Sequence, residues 1–415
     1  MADLQWCSEN VVNPAVFADE TRLHDTFAVL RAQAPVHWTD VKGIRPFWSV
    51  TKHSDIMEIE RQNDRFLNDP RLTIQTIETE RKVEEFTGGQ RLLRSLVDMD
   101  DPDHRKYRAL TQGFFSAPAL RAFEPRLKVL AQRSIDKMAQ RGLEGEIDFV
   151  NDVAVWYPLR GVMSILGVPE QDEPLMLKLT QELFGATDPD FLRNQNDNTS
   201  VITDFFNYFN QITADRRAHP KDDVASTIAN ARIDGDPIGD LEAMSYYIIV
   251  ATAGHDTTSS SISGGLRALI ENPEEFRKLK QDRSLLPSAV DEMIRWVTPV
   301  KHFFRTATQD YELRGTHIKA GDNLVMWYVS GNRDEEVFGD PFTFRIDRKP
   351  NPHIAFGYGV HHCLGNVFAK MEMRAIFEEL LDRLEWAELA GDPKLVQATF
   401  VSGLKNLPIR YRLSR

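Results

Sequence analysis

The residue best equipped for metal chemistry is Cys363, one of two cysteines in a chain of 415 residues. It lies in the stretch Phe356-Gly357-Tyr358-Gly359-Val360-His361-His362-Cys363-Leu364-Gly365, just before a helical segment read as Asn366 to Leu380. Glycine admits positive φ and close backbone approach, so such a loop can wrap the sulfur and aim amides at it. A thiolate at a helix N-terminus, faced by N–H donors, keeps its charge at lower cost. One sulfur cannot close a zinc site, which takes four ligands at recognisable spacing. It can be the one protein ligand of an iron whose equatorial positions a macrocycle fills, as in haem with an axial cysteine.

Three further constellations carry chemistry. Ala253-Gly254-His255-Asp256-Thr257-Thr258 falls in the middle of a segment, Asp240 to Ile270, that reads as one long and mostly buried helix. Glycine costs about 1 kcal/mol relative to alanine there, and threonines can bond back to carbonyls. Both weaken the helix at one point, which is how a groove or kink arises. An acid and an alcohol beside that groove offer protons a route. In Asp100-Asp101-Pro102-Asp103-His104-Arg105-Lys106-Tyr107-Arg108, proline and acids mark a helix start. His104 and Arg108 then share one face, two donors suited to two carboxylates. Glu292 and Arg295 form an (i, i+3) pair, which as a bare pattern describes an ordinary surface contact.

The pattern Phe356-x-x-Gly359-x-x-x-Cys363-x-Gly365 resembles the haem-binding signature of the cytochrome P-450 monooxygenases. The four constellations occur in that family's order and span most of the chain. The resemblance is greatest to the soluble bacterial members, with Asp172 to Gln181 and Ala251 to Ser261 similar to the α-terpineol-hydroxylating subfamily. It implies a mainly α fold with a smaller β region, a triangular helix-rich prism around a buried haem b (iron protoporphyrin IX). It implies Cys363 as iron ligand, Phe356, Gly357 and Gly365 around it, and His104, Arg108, Arg305 and His361 as propionate partners. Ala253 and Gly254 are expected to make room for dioxygen, with Thr257 beside the reacting oxygen and Asp256 relaying protons. His255 could join that relay or face a neighbouring helix, the second being favoured. Glu292, Arg295 and Arg348 match a structural brace behind the cysteine loop. By alignment of motifs, Ile249, Thr252, Ala253, Val300, Phe303 and Val401 line the substrate pocket.

The implied activity is hydroxylation of a small hydrophobic substrate, a monoterpenoid or alkylbenzene, by O2 and electrons. One loop cysteine cannot hold an iron–sulfur cluster and no Gly-x-Gly-x-x-Gly occurs, so electrons are expected from a separate [2Fe–2S] ferredoxin and its reductase. Arg105, Lys106 and Arg108 are either its docking site or solvated surface plus propionate contact. The alternatives are a peroxide-driven haem enzyme of the same fold, against which the intact Asp256-Thr257 argues, and a non-catalytic haem-binding or gas-sensing protein.

The elements that must position these residues follow from pattern. Length alone suggests two or three domains, yet no linker, repeat or low-complexity tract interrupts the chain, so one domain over 1–415 is expected. His37-Trp38 and Phe47 to Val50 read as strands, Lys52 to Arg61 as a helix with Ser54 as N-cap, and Phe66 to Val97 as a loop with a short helix. Ala119–Gln140, Val150–Leu166, Asp172–Phe184 and Val201–Arg217 read as helices, with Asp188 to Ser200 a polar connection. Pro287 to Val297 is helical. Val300–Thr306, Tyr311–Leu313, Thr316–Ile318 and Asn323–Ser330 give a small sheet, closed by Ala398–Ser402 and Pro408–Leu413. A net charge of -12 argues against nucleic acid. Two cysteines suit a reducing cytoplasm, Cys7 being read as a free terminal thiol. No apolar run approaches a membrane span, and no signal pattern opens the chain.

Overall fold

Helices dominate because most long segments repeat apolar residues at helical spacing, and the strands gather at two places that brace them. The structure, a computed structural model, describes residues 3–191 and 198–414. The middle of the expected polar connection between Asp188 and Ser200 lies outside the described residues. The larger sheet has five strands in the order Val36–Thr39, Phe47–Val50, Asn323–Trp327, His302–Ala307, Phe66–Leu67. All neighbours are antiparallel except Phe47–Val50 against Asn323–Trp327. Side chains alternate across a strand. Phe304 therefore packs into the cluster of Phe47, Phe27 and Trp327, while Phe303 and Arg305 turn to the opposite face, toward the cavity. A second sheet, Leu384–Leu389, Pro408–Leu413 and Glu144–Asp148, ties the two halves of the chain together.

Several expectations need correction. The segment Asp240 to Ile270 is not one helix but two, Asp240–Ala253 and Asp256–Glu271, broken at Gly254-His255. Ser54 does not cap its helix. The helix begins at His53, whose amide bonds to Oδ2 of Asp334 at 3.0 Å, and the N-cap position is Lys52. The segment after Phe66 does contain the expected short helix, Ile77–Thr87, capped by Thr76. Ala398–Ser402 forms no strand; Val401 makes an isolated bridge to Val300 instead. Tyr328–Gly331 leaves the sheet as a helical turn. Cys7 is the expected free thiol, fully buried beside Val11, Phe17 and Phe27.

The core that bears on the site is a bundle around Asp256–Glu271, which packs against Trp156–Leu166, Leu286–Val297 and Asn366–Arg383. Asp240–Ala253 is apolar on nearly every side, and it is buried, as such a helix must be. Leu286–Val297 carries Pro287 in its first turn and stops at Thr298, which takes a left-handed φ of 41°. That conformation is uncommon outside glycine. Here the Thr298 hydroxyl donates to the carbonyl of Arg295 at 2.7 Å and accepts from Nδ2 of Asn332 at 2.9 Å, which secures the turn.

Candidate active site

Cys363 lies at the mouth of the Asn366–Arg383 helix, whose N-cap is Gly365. The Cys363 amide donates to the carbonyl of Phe356 at 2.9 Å, closing the loop on itself. The Asn366 side-chain amide donates to the Cys363 carbonyl at 2.7 Å. The sulfur receives the amide of Gly365, and Arg108 adds positive charge nearby. Burial nonetheless dominates and pushes the thiol up from its ordinary range. The loop alone therefore does not make a free thiolate; a cation at the sulfur would. Gly357 and Gly359 both adopt positive φ, 68° and 70°. At Gly359 a Cβ would lie 2.2 Å from the Glu60 carbonyl, so only glycine lets the loop approach the Phe47–Glu60 region.

Above the sulfur is a cavity of about 230 Å³. Its wall includes Cys363, Phe356, Gly357, His361 and Gly365 from the loop, His104 and Arg108, Arg305, Val300 and Phe303, and the broken helix. The helix contributes Ile249, Val250, Ala253, Gly254, Thr257, Thr258 and Ser261. That stripe repeats at i, i+1, i+4, i+5, as a 3.6-residue period requires. Thr252 is therefore out of phase: it is buried elsewhere, its hydroxyl donating to the carbonyl of Ile248 at 2.7 Å. Val401 also lies off the wall, behind Val300.

The glycine at the helix break has a packing cause. A Cβ on Gly254 would meet Cγ2 of Val162 at 2.5 Å and the Val250 carbonyl at 3.0 Å. Gly254 thus makes room first for the neighbouring helix. Thr257 Oγ1 donates to the Ala253 carbonyl at 3.0 Å and faces the cavity. Asp256 does not line the cavity. Its Oδ1 is 3.3 Å from Nε2 of the fully buried His255. Burial raises the Asp256 carboxyl and lowers the His255 imidazole, each pulled partway back by the other.

The polar end of the cavity gathers cations against buried acids. His104 is buried, its ring 4.0 Å from that of His361, and its Nε2 has no partner. Arg108 Nη2 donates to the His362 carbonyl at 2.7 Å. Arg305 Nη2 donates to Oε1 of Glu60 at 3.0 Å, and Tyr328 OH donates to the same oxygen at 2.5 Å. Glu60 escapes the motif reading. Its one trace in the sequence is an acid in the last turn of a helix, where the macrodipole disfavours it. Two guanidiniums, an orphaned buried imidazole nitrogen and a single sulfur around an otherwise apolar chamber fit a flat macrocycle with an iron centre and two carboxylates.

The basic cluster does not form an open patch. Arg108 turns inward, Arg105 pairs with Asp101 at 3.1 Å, and Lys106 pairs with Asp234. Behind the loop, Glu292 accepts from Arg295 through both oxygens at 2.8 Å and from Arg348 at 3.1 Å, all three buried. Arg295 Nη1 reaches the Asn332 carbonyl at 2.9 Å, and Asn332 Oδ1 receives the Ile354 amide at 2.8 Å, two residues before Phe356.

Fold and site together define an oxygen-activating oxidoreductase built on one cysteine. A family model described as Cytochrome P-450 matches residues 75–413. The chain is 44% identical to Cytochrome P-450-terp from Pseudomonas sp., over 97% of each chain. It is 33% identical to a steroid C26-monooxygenase from Mycolicibacterium smegmatis, covering 93% of this chain and 90% of that one. Its structure is similar to crystalline CYP108D1 from Novosphingobium aromaticivorans, with a TM-score of 0.90, 43% identity and 98% of each chain covered. It is also similar to CYP268A2 from Mycobacterium marinum in complex with pseudoionone, with a TM-score of 0.86, 33% identity and 94% coverage of each. The chain belongs to the cytochrome P-450 family, and it is a monooxygenase of that family. The family implies haem. No helix among the described residues is long and apolar enough to cross a membrane.

Proposed function

We propose that this monooxygenase hydroxylates a compact hydrophobic molecule, a monoterpenoid or alkylbenzene, at haem b held by Cys363. The observation that carries the reading is the chamber itself, with one sulfur below, the Thr257 groove above, and Leu96, Val97, Ile249, Val250, Val300 and Phe303 around it. Apolar walls with few polar groups suit a hydrocarbon and offer little to a charged one. Similarity to a protein called P-450-terp supports the same substrate class.

Bound haem supplies the oxidising chemistry. The chain supplies the rest. Cys363 gives the sulfur ligand, with Gly365 N–H moderating its charge. His104, Arg108, Arg305 and His361 hold the carboxylate edge. Phe303 and Val300 place the substrate and exclude water. Thr257 presents its hydroxyl to the chamber, and Asp256 passes protons from the other side of the break. Glu292, Arg295 and Arg348 keep the loop in register through Asn332. Electrons come from a separate [2Fe–2S] ferredoxin and its reductase, in the reducing cytoplasm that two unpaired cysteines suit. Arg105, exposed beside Asp101 in a weak surface pair, remains available to an acidic ferredoxin.

The test is an optical titration of purified protein with α-terpineol, p-cymene and camphor, watching the Soret band. A saturable low-to-high-spin shift with one of them is expected. A thiolate-type spectrum unmoved by all three would keep the enzyme class and overturn the substrate class.

A further inference from the structure

Glu60 is a buried carboxyl inside a cofactor chamber, and half of it is unused. Oε1 takes the guanidinium of Arg305 and the hydroxyl of Tyr328. Oε2 is closed off from solvent and has no partner. Buried polar atoms are nearly always satisfied, so an orphan calls for a missing partner. Glu60 lines the same chamber as Arg305, Arg108, His104 and His361.

Charge counting decides which partner it can take. The elements packed on Glu60 bring Arg305 from the His302–Ala307 strand, Tyr328 from the helical turn after Trp327, and His361 from the Gly359–His361 turn. Slightly further off are Arg108, His104 and the carboxyl of Asp100, which itself accepts the amides of Asn68 and Asp69. Burial and the neighbouring Arg108 lower the His104 imidazole. Arg305 faces Glu60 and Asp100, Arg91 also bears on Asp100, and Arg108 lines the same chamber. Two propionates would raise the count to four carboxyls against three guanidiniums. Burial raises the Glu60 carboxyl from its ordinary range, opposed by Arg305 and the Tyr328 hydroxyl.

We propose that Glu60 and Arg305 act as one clamp on the cofactor, Arg305 pairing with a propionate while Glu60 keeps its proton and donates it from Oε2 to that carboxylate. Glu60 is then a positioning residue, and the proposal rests on the haem reading above. A neutral acid hydrogen-bonded to an anion gives a short, charge-assisted contact without adding a third negative charge. It also links the haem to pH. When Glu60 loses its proton, negative charge appears at the haem edge and the ferric state is favoured.

The test is an optical redox titration of the holoenzyme in mildly acidic to mildly alkaline buffers, without substrate turnover. In the wild type the ferric/ferrous potential should fall as pH rises through the Glu60 titration. Glu60→Gln, which can still donate but cannot ionise, should flatten that dependence and keep haem. Tyr328→Phe removes a donor to Oε1, destabilises the Glu60 anion and should move the fall to higher pH. A wild-type potential that is independent of pH overturns the proposal, whatever the variants do. So does a Glu60→Gln holoenzyme with the wild-type dependence, or a Tyr328→Phe one with an unmoved midpoint. A wild type that takes up no haem would instead bring down the cofactor reading itself.

Discussion

His255 Nε2 and Asp256 Oδ1 lie 3.3 Å apart at the break in the central helix, and neither residue contributes to the cavity wall that Thr257 lines. The pair therefore sits behind the hydroxyl, where a proton can be held before it reaches the chamber. Asp256→Asn keeps the shape and removes the ionisable proton. It should lower oxygen-driven turnover by about 10²-fold, within the span typical of acid–base groups. The substrate-induced spin shift should stay as in the wild type. Steady-state rates in H2O and D2O check this, with a larger solvent isotope effect expected in the variant.

Thr257→Ala removes the hydroxyl that faces the cavity while leaving Asp256 in place. The expected result is uncoupling: electrons continue to be consumed and product per electron falls several-fold. The ratio of product formed to reductant oxidised measures it. A wild-type ratio would show that the hydroxyl's bond to Ala253 is its whole role.

Glu292 is enclosed by Arg295, Arg348, the amide of Arg345 and Nδ2 of Asn351. Removing its charge leaves two buried guanidiniums uncompensated. Glu292→Gln should cost about 3–5 kcal/mol, the usual penalty for breaking a buried pair from one side. Denaturant unfolding reads the loss. Because Arg295 connects through Asn332 to Ile354, haem retention should fall as well.

What the sequence discloses here depends on how local the cause is. The cysteine loop and the Asp-Thr pair are legible because residue type and spacing carry their chemistry, whereas Glu292 and Arg295 read alone as a surface pair and only the family resemblance marks them as the buried brace. The weak point near Gly254 is legible too, but the need for glycine there depends on Val162, which arrives from another helix. Pairing of Phe47–Val50 with Asn323–Trp327 leaves no local mark, since each strand reads the same whatever its neighbour. Thr252 is misplaced by one step of helical phase. Glu60 is visible only as an acid on the wrong end of a helix, and its meaning comes from Arg305 and Tyr328 far along the chain.

His302 is fully buried between two cavity-covering segments. Its Nε2 lies 3.1 Å from the amide of Ile74 and its Nδ1 2.9 Å from the carbonyl of Thr399. The ring must be neutral to accept from one and donate to the other. Burial lowers it from 6.5 to about 3. The unfolded chain thus binds the proton first on acidification, so stability is full above about pH 6.5 and declines as pH falls toward 3. The linked loss is on the order of 5 kcal/mol at the acid end. His302→Gln, which can both donate and accept, should shrink this acid sensitivity. Unfolding free energies compared between neutral and mildly acidic buffer test it.

Lys301, the preceding residue, carries the same kind of strain at higher pH. Its ammonium is buried and donates to the carbonyls of Val297 and Thr298, both at 2.9 Å, at the end of the Leu286–Val297 helix. Burial lowers it from 10.5 to about 7, with Arg333 adding to the effect and Glu20 opposing it. Between these values the unfolded lysine is protonated and the folded one largely is not. The unfolded state binds more protons there, so stability rises with pH from about 7 to 10.5 on account of this group. Lys301→Met retains the stem packing and abolishes the titration. The variant should lose that rise while its unfolding remains cooperative. Denaturation midpoints of wild type and variant at neutral and alkaline pH decide the matter: a constant difference between them would mean that Lys301 stays charged in the fold.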